Sequence, residues 1–295
     1  MATPESTVFI HNSADRPGIP TQVIQGFREA WSRRQLIRWL VQADVKKKGS
    51  DTVLGDVWWV LDPLLQMAVY VILVSIIFER KQPDYPLWVF SAILPWKWFT
   101  SSVGDSISSV VMQGQLIRQL QFPKVVLPLS ATFAGVVNFA FGMIPLFGLM
   151  VLFYRDRLTP LILLIPVIAV VQLVFTLSFS LALAAANVFL RDIGNMSRHV
   201  LRMWWYLSPG IYSIETLQNS NGLKAHPEIL RLLEANPIAI LFTAYHSVIY
   251  GTSDGGPPVM PDWSSLGILL LVSLVLVLVG MAIFKRLEPS FAKVL

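Results

Sequence analysis

Residues 264–284 read SSLGILLLVSLVLVLVGMAIF, a run without a single charged side chain. A helix needs about 20 apolar residues to cross the hydrocarbon core of a bilayer, where every backbone group must find its partner inside the segment. Working outward from this run, residues 57–78, 87–111, 125–153 and 160–190 are also predominantly apolar. A shorter stretch, 203–217, is broken by Ser208-Pro209-Gly210, as expected of a kinked or discontinuous helix that lines a cavity or packs on protein. Hydrophobic residues occupy 54% of the 295 positions and charged residues 14%, against about 25% charged in soluble domains. Mean hydropathy is +0.60. The fold class expected is all-α: a polytopic membrane protein with six transmembrane helices.

Orientation follows from the basic residues. With the N-terminus inside, the inner segments hold Arg16, Arg28, Arg33, Arg34, Arg38, Lys46, Lys47, Lys48, Arg118, Lys124, Arg191, Arg198, Arg202, Lys285, Arg286 and Lys293. The outer segments hold only Arg80, Lys81, Arg155, Arg157, Lys224 and Arg231, and Lys97 is left near a helix. Basic residues concentrate on cytoplasmic segments, so both termini are expected in the cytoplasm. The net charge of +5 is thereby a matter of topology, and no nucleic-acid partner is expected. Met1 to Gln25 form a polar extension without the apolar segment of a signal peptide.

Several segments are not simple spans. Residues 27–45 are amphipathic: Phe27, Trp31, Leu36, Ile37, Leu40 and Val41 share a stripe beside Arg28, Arg33, Arg34 and Arg38. Arginines and tryptophan around an apolar face describe a helix lying in the membrane interface. Residues 115–122 read as a short amphipathic helix stopped by Pro123, with Leu116, Ile117, Leu120 and Phe122 as a ridge fit for docking a partner. Residues 227–250 contain two short helices interrupted at Asn236-Pro237, expected as an external re-entrant or interfacial pair. The following 251–261 loop is turn-rich.

No catalytic constellation emerges. Absence of cysteine excludes a disulfide framework, a thiolate metal site and a cysteine nucleophile. A phosphate-cradling Gly-x-x-x-x-Gly-Lys-Ser/Thr loop is missing, and His11, His199, His226 and His246 have no metal-ligand spacing. Asp156 and Asp192 neighbour arginines, which explains them locally, whereas Asp62 and Asp105 lie within or near the first two spans and are functional candidates for that reason. Aromatic residues crowd two regions: Trp96, Trp98 and Phe99, then Trp204, Trp205 and Tyr212. Belt residues and helix packing account for many such rings. Others could line a conduit, since sugar C–H faces stack on aromatic faces.

The order of these motifs is similar to that in the permease subunits of ATP-binding-cassette polysaccharide exporters, which carry O-antigens, teichoic acids or galactan. The resemblance rests on Val53-Leu54-Gly55-Asp56-Val57-Trp58-Trp59-Val60-Leu61-Asp62-Pro63, Leu94-Pro95-Trp96-Lys97-Trp98-Phe99, Leu116-Ile117-Arg118-Gln119-Leu120-Gln121-Phe122-Pro123-Lys124, Phe189-Leu190-Arg191-Asp192-Ile193, Leu207-Ser208-Pro209-Gly210-Ile211-Tyr212 and Phe284-Lys285-Arg286-Leu287-Glu288-Pro289. It covers the chain from about Phe27 onward and makes 26–295 the permease domain. It implies a homodimer in the bacterial cytoplasmic membrane, with a conduit between copies for a lipid-linked polysaccharide. Two copies of a separate ATPase subunit would bind ATP and Mg, leaving this chain without cofactor, metal or catalytic residue. Gln115, Leu116, Ile117, Arg118, Leu120 and Phe122 would form the coupling helix, with Arg191 and Asp192 in a second contact. Trp96, Trp98, Phe99, Trp204, Trp205 and Tyr212 would line the channel. Arg33, Arg34, Arg38, Lys46 and Lys47 would meet the lipid phosphate at the inlet, a role anionic membrane lipids would also suit. The competing readings are a drug or lipid exporter of the same superfamily, a membrane-embedded enzyme on lipid-linked sugars, and a secondary transporter, for which no internal repeat is visible.

Overall fold

The computed structural model describes residues 18–50, 55–79, 82–218, 224 and 226–295, and its helices fall in the order the apolar runs set. Among the described residues there is no strand. Helices α1 (Ile19–Ser32) and α2 (Arg34–Ser50) lead into α3 (Trp58–Val71), which widens to a π-helical stretch at Ile72–Ile77. Then come α4 (Tyr85–Met112), the short α5 (Gly114–Gln119), α6 (Val126–Phe153) and α7 (Ile165–Phe189). The chain ends with α8 (Ile193–Tyr206), α9 (Ile214–Gln218), α10 (Pro227–Glu234), α11 (Pro237–Ile249) and α12 (Trp263–Val294).

Four stretches among the described residues are long and apolar enough to cross a membrane: Val60–Ile77, Val126–Phe153, Pro160–Phe189 and Trp263–Val294. A fifth is possible if α10 and α11, bent by 63° at their break, make one span. Two differences from the expected six follow. Helix α4 has the length, 28 residues or about 42 Å, but not the apolarity. It carries Lys97, Asp105 and a run of serines, tolerable because it occupies the centre of the bundle, where Ser91, Thr100, Ser101, Ser108 and Ser109 donate to its own carbonyls and Ser106 and Lys97 to neighbouring helices. Ser106 and Thr132 share a hydrogen bond of 3.1 Å, and Thr132 donates to Ser180 at 3.0 Å, stitching α4, α6 and α7. Residues 203–217, expected as one interrupted span, are two helices separated by a turn at 207–213. Asn236 holds that turn, donating to Ser208 Oγ at 2.8 Å while its own oxygen accepts from Trp204 Nε1 at 2.8 Å and caps α11 through Ile238 N.

The interface helix also differs from the expected 27–45. It starts at Ile19, inside the segment read as a polar extension, and breaks at Arg33. Helix α1 lies on α12, where Gly26 permits close approach: a Cβ there would sit 3.1 Å from Met281 Cγ. Lys285 on α12 fixes the contact by donating to Glu29 at 2.8 Å and to Glu288 at 2.6 Å. Helix α2 packs on α6. The stripe read from sequence therefore divides: Phe27 and Trp31 remain exposed, Leu36, Ile37, Leu40 and Val41 are half-buried, and α1 turns Val23, Gly26 and Ala30 inward instead.

At the opposite end, Arg157 gathers the connections. Its side chain is buried and donates to Asp84 Oδ2, Tyr250 O and Gly255 O, each at 2.9 Å, and to Gly256 O. Asp62 and Lys97 join α3 to α4 in an ion pair. Helix α3 is the least covered span, with 11% of its apolar stretch buried against 33% for α12. One side of α3 therefore awaits lipid or another chain.

Candidate functional site

Along α3, Trp58, Asp62, Gln66 and Tyr70 recur every fourth residue, so a polar and aromatic stripe winds up an otherwise apolar helix. Thr100, Ser101, Gly104, Asp105 and Ser108 form the matching face of α4. A Cβ at Gly104 would meet nothing within 4 Å, so the glycine widens the space in front of this face. Helix α8 closes the third side with Asn195, Arg198 and Arg202, and Arg191 stands just before it. Its placement depends on Asn187, which donates to Ile107 O at 2.9 Å and accepts from Gly194 N at 3.2 Å. Gln66 and Tyr70 of α3 with the α4 and α8 faces bound an open cleft of about 810 Å³, while Trp58 and Asp62 lie on the other flank of α3.

Four aromatic residues, Tyr70, Trp96, Trp205 and Tyr206, form its wall. Trp96 and Trp205 have ring centroids 5.5 Å apart, and Trp205 Nε1 donates to Tyr70 Oη at 2.6 Å. The cleft continues both ways along α3. Beyond Gln66, Tyr70 and Tyr206 it opens into a groove of about 540 Å³ that includes Tyr212. Beyond Asp105 and Ser108 it meets a crevice of about 260 Å³ lined by Asp44 and Lys47 of α2. The path is polar from the N-terminal helices through the cleft and becomes largely apolar in the far groove, where Val69, Leu73, Val74, Phe78 and Ile211 stand beside the tyrosines. Three arginines give its middle an excess of positive charge, suited to anionic groups.

The sequence-expected residues distribute unevenly over this geometry. Trp96, Trp205 and Tyr212 line the path. Trp98 lies on the opposite flank of α3, and Phe99 is inside the bundle, 5.3 Å from Phe175 and 5.7 Å from Trp204. Trp204 borders an apolar crevice between α7 and α8. Lys47 reaches the path, while Arg33, Arg34, Arg38 and Lys46 are exposed on the α1–α2 surface, Arg34 over the Trp31 ring. Arg191 lines the cleft and Asp192 is exposed beside it.

Helix α5 ends at Gln119 and does not run to Pro123 as expected, so Leu120 and Phe122 follow it, and the expected ridge is not one face. Ile117 is only 5% exposed and Phe122 packs beside it, whereas Leu120 is 54% exposed. Gln115 is exposed, Arg118 donates to the backbone oxygen of Leu295, and the Leu116 side chain lies outside the described set. The Lys48 side chain likewise lies outside it, and Val53, Leu54, Arg80 and Lys81 fall outside the described residues. Gln66, Tyr70, Asn187, Arg202 and the α4 hydroxyl face were not singled out from sequence. The four-residue spacing from Trp58 to Tyr70 was the signal available.

Over 271 residues, covering 92% of this chain and 99% of the relative, the sequence is 31% identical to the O-antigen export system permease protein RfbA of Myxococcus xanthus. The chain belongs to this family of polysaccharide-export permeases. Two proteins of the same name from Klebsiella pneumoniae match this permease at 24% over 256 residues and 26% over 260, each covering 87% of the chain and 93% of the relative. No family model matches the permease. Relatives named as permeases are transport subunits, not enzymes, and together with the apolar helices they make this chain a multi-pass membrane protein.

Proposed function

We propose that the permease is the transmembrane half of an ATP-driven exporter moving a lipid-linked polysaccharide across the bacterial cytoplasmic membrane. The observation that carries the reading is the path along α3, polar from Lys47 past the arginines of the cleft and aromatic and apolar from there to Tyr212. A hydrophilic polymer needs such a path through a bilayer, and a lipid-soluble drug does not. The phosphate end of the lipid carrier would be met first by Arg33, Arg34, Arg38, Lys46 and Lys47. The sugars would then pass Trp96 and Trp205, whose rings accept C–H faces without fixing one residue of the polymer.

The conduit belongs to a homodimer. The cleft is open on one side, and its border carries an exposed apolar row on α8 (Met196, Val200, Met203 and Leu207) with the exposed face of α3 opposite. A second copy covering both would close the path. ATP and Mg are held by a separate nucleotide-binding subunit, two per assembly. That subunit would dock on α5 through Leu120 and its neighbours, with both termini of the permease on the same cytoplasmic side. The α10–α11 pair would then cap the external exit.

Co-expression with a candidate nucleotide-binding ATPase from the same genome tests this reading. A purified complex with two copies of each subunit, hydrolysing ATP and restoring polymer export in a permease-deficient cell, is the expected result. A permease that purifies alone and restores no export would reject it.

A further inference from the structure

Helix α12 continues past its uncharged 264–284 run, and its last turns, 285–294, carry Glu288, a carboxylate only 7% exposed. One oxygen of Glu288 accepts from Lys124 N at 2.7 Å and the other from Lys285 Nζ at 2.6 Å. Lys285 also donates to Glu29 of α1 at 2.8 Å. Lys124 is where the chain beyond α5 re-enters the bundle, two residues before α6 begins at Val126. The first N–H groups of a helix lack partners within it and attract negative charge. Helix α6 has Val125 at its N-cap position and no side-chain cap there, so α12 places just ahead of that end an anion that Val125 cannot supply.

A second anchor lies about 10 Å farther along α12. Arg118 of α5 donates to the backbone oxygen of Leu295, a Cβ at Gly114 would sit 3.6 Å from Leu295 Cβ, and Ile117 packs in the same cluster as Phe291. Between the anchors lie residues 119–123, with Leu120 exposed. Both ends of this segment are therefore mounted on one helix. A staple that only held the fold would not need charge, since replacing a buried ion pair by apolar residues of similar volume is often neutral or stabilising. A hydrogen-bonded carboxylate adds direction: it accepts within narrow limits of distance and angle, whereas apolar surfaces can slide.

We propose that Glu288 is a positioning residue for ATPase docking: it sets the angle at which residues 119–123 are presented, and so governs the partner's affinity without touching it. The docking role of the segment rests on the proposed function; the mount on α12 does not.

The chain contains no cysteine, so spin labels on Gln121→Cys and Leu190→Cys, both exposed positions, report the placement of the segment. Their separation is read by pulsed electron resonance on the full-length permease in lipid nanodiscs, without the ATPase. Binding of the nucleotide-binding subunit from the same genome is measured on the unlabelled permease. Glu288→Leu leaves Lys285 its bond to Glu29 and deprives Lys124 of its acceptor, while Glu288→Gln keeps an acceptor. The expected result is one narrow distance in the unaltered permease and in Glu288→Gln, and a broadened one in Glu288→Leu. ATPase affinity should fall about tenfold in Glu288→Leu with melting unchanged, and stay close to the unaltered value in Glu288→Gln. Leu120→Asp, on the docking surface itself, should lose binding at an unchanged distance. An unchanged distance or affinity in Glu288→Leu, or an equal loss in Glu288→Gln, overturns the proposal. Aggregation of Glu288→Leu, or melting that falls in step with its affinity, also overturns it, because Glu288 would then hold the fold and not the segment. An unaltered permease that binds no ATPase refutes the exporter reading and takes the docking role with it. Failure of the proposal alone leaves that binding intact and Leu120→Asp defective, so the two failures are distinguishable.

Discussion

Replacing Arg157 by methionine removes the one side chain that ties three connections together. The guanidinium donates to the Asp84 carboxylate and to the backbone oxygens of Tyr250, Gly255 and Gly256, and its plane lies 5.1 Å from the Tyr250 ring centroid. Methionine fills much of the volume and supplies no donor, so the carboxylate and three carbonyls lose their partner together. Breaking a buried ion pair by deleting one member costs about 3–5 kcal/mol. The Asp84 side chain is 33% exposed and water can partly replace the arginine, which places the expected loss near the lower bound, about 3 kcal/mol. Asp84 also has a left-handed backbone (φ 47°) directly before α4, a conformation that the arginine helps hold. Thermal unfolding in dodecyl maltoside should therefore drop by roughly 5 °C, on the entropy scaling for a chain of this length. The 251–261 loop should become the first site of limited proteolysis. Arg157→Lys, which keeps the charge but lacks the planar fork, should fall between the two proteins. A methionine variant that melts with the wild type and keeps its loop equally protected would refute the argument that this arginine holds the end of the bundle together.

Leu120→Asp, exposed just after α5, should abolish ATPase co-purification with the permease still monodisperse on gel filtration, whereas Ile117→Asp should aggregate because it buries a charge. Phe99→Ala should cost about 3–5 kcal/mol of stability in a denaturation series, since it empties a packed position. By contrast Trp205→Phe, losing the bond to Tyr70, should cost only about 1 kcal/mol while lowering polymer export in a complementation assay. Glu29→Gln should loosen α1 from Lys285 and speed amide hydrogen exchange in Ile19–Ser32, leaving α6 and α7 unaffected.

Helix α5 shows how far the sequence could be read. Pro123 and the apolar spacing identified a short helix after Met112, and one exists at Gly114–Gln119. The spacing could not tell which apolar residues face a partner, because Ile117 and Phe122 find Phe291 and the C-terminal part of α12 in the folded chain. The N-terminal helix was legible as amphipathic, but its break at Arg33 was not. That break exists because α1 follows α12 and α2 follows α6.

Sequence by itself determined what crosses apolar surroundings. Uncharged runs such as 264–284 fix the helices, and the order of motifs from Trp58 to Pro289 fixes the family, since both are properties of the linear chain. Tertiary structure alone decided which way side chains point. A helix apolar on all sides has no period from which a facing direction can be read. Trp96 therefore faces a cleft, Phe99 the interior and Trp98 the opposite flank only because small residues set how closely helices approach: Gly135 admits Trp98, whose Cδ1 would lie 2.9 Å from a Cβ there. Asp62 and Lys97 meet for the same reason, because contact between helices distant in sequence is settled by the shapes that pack between them.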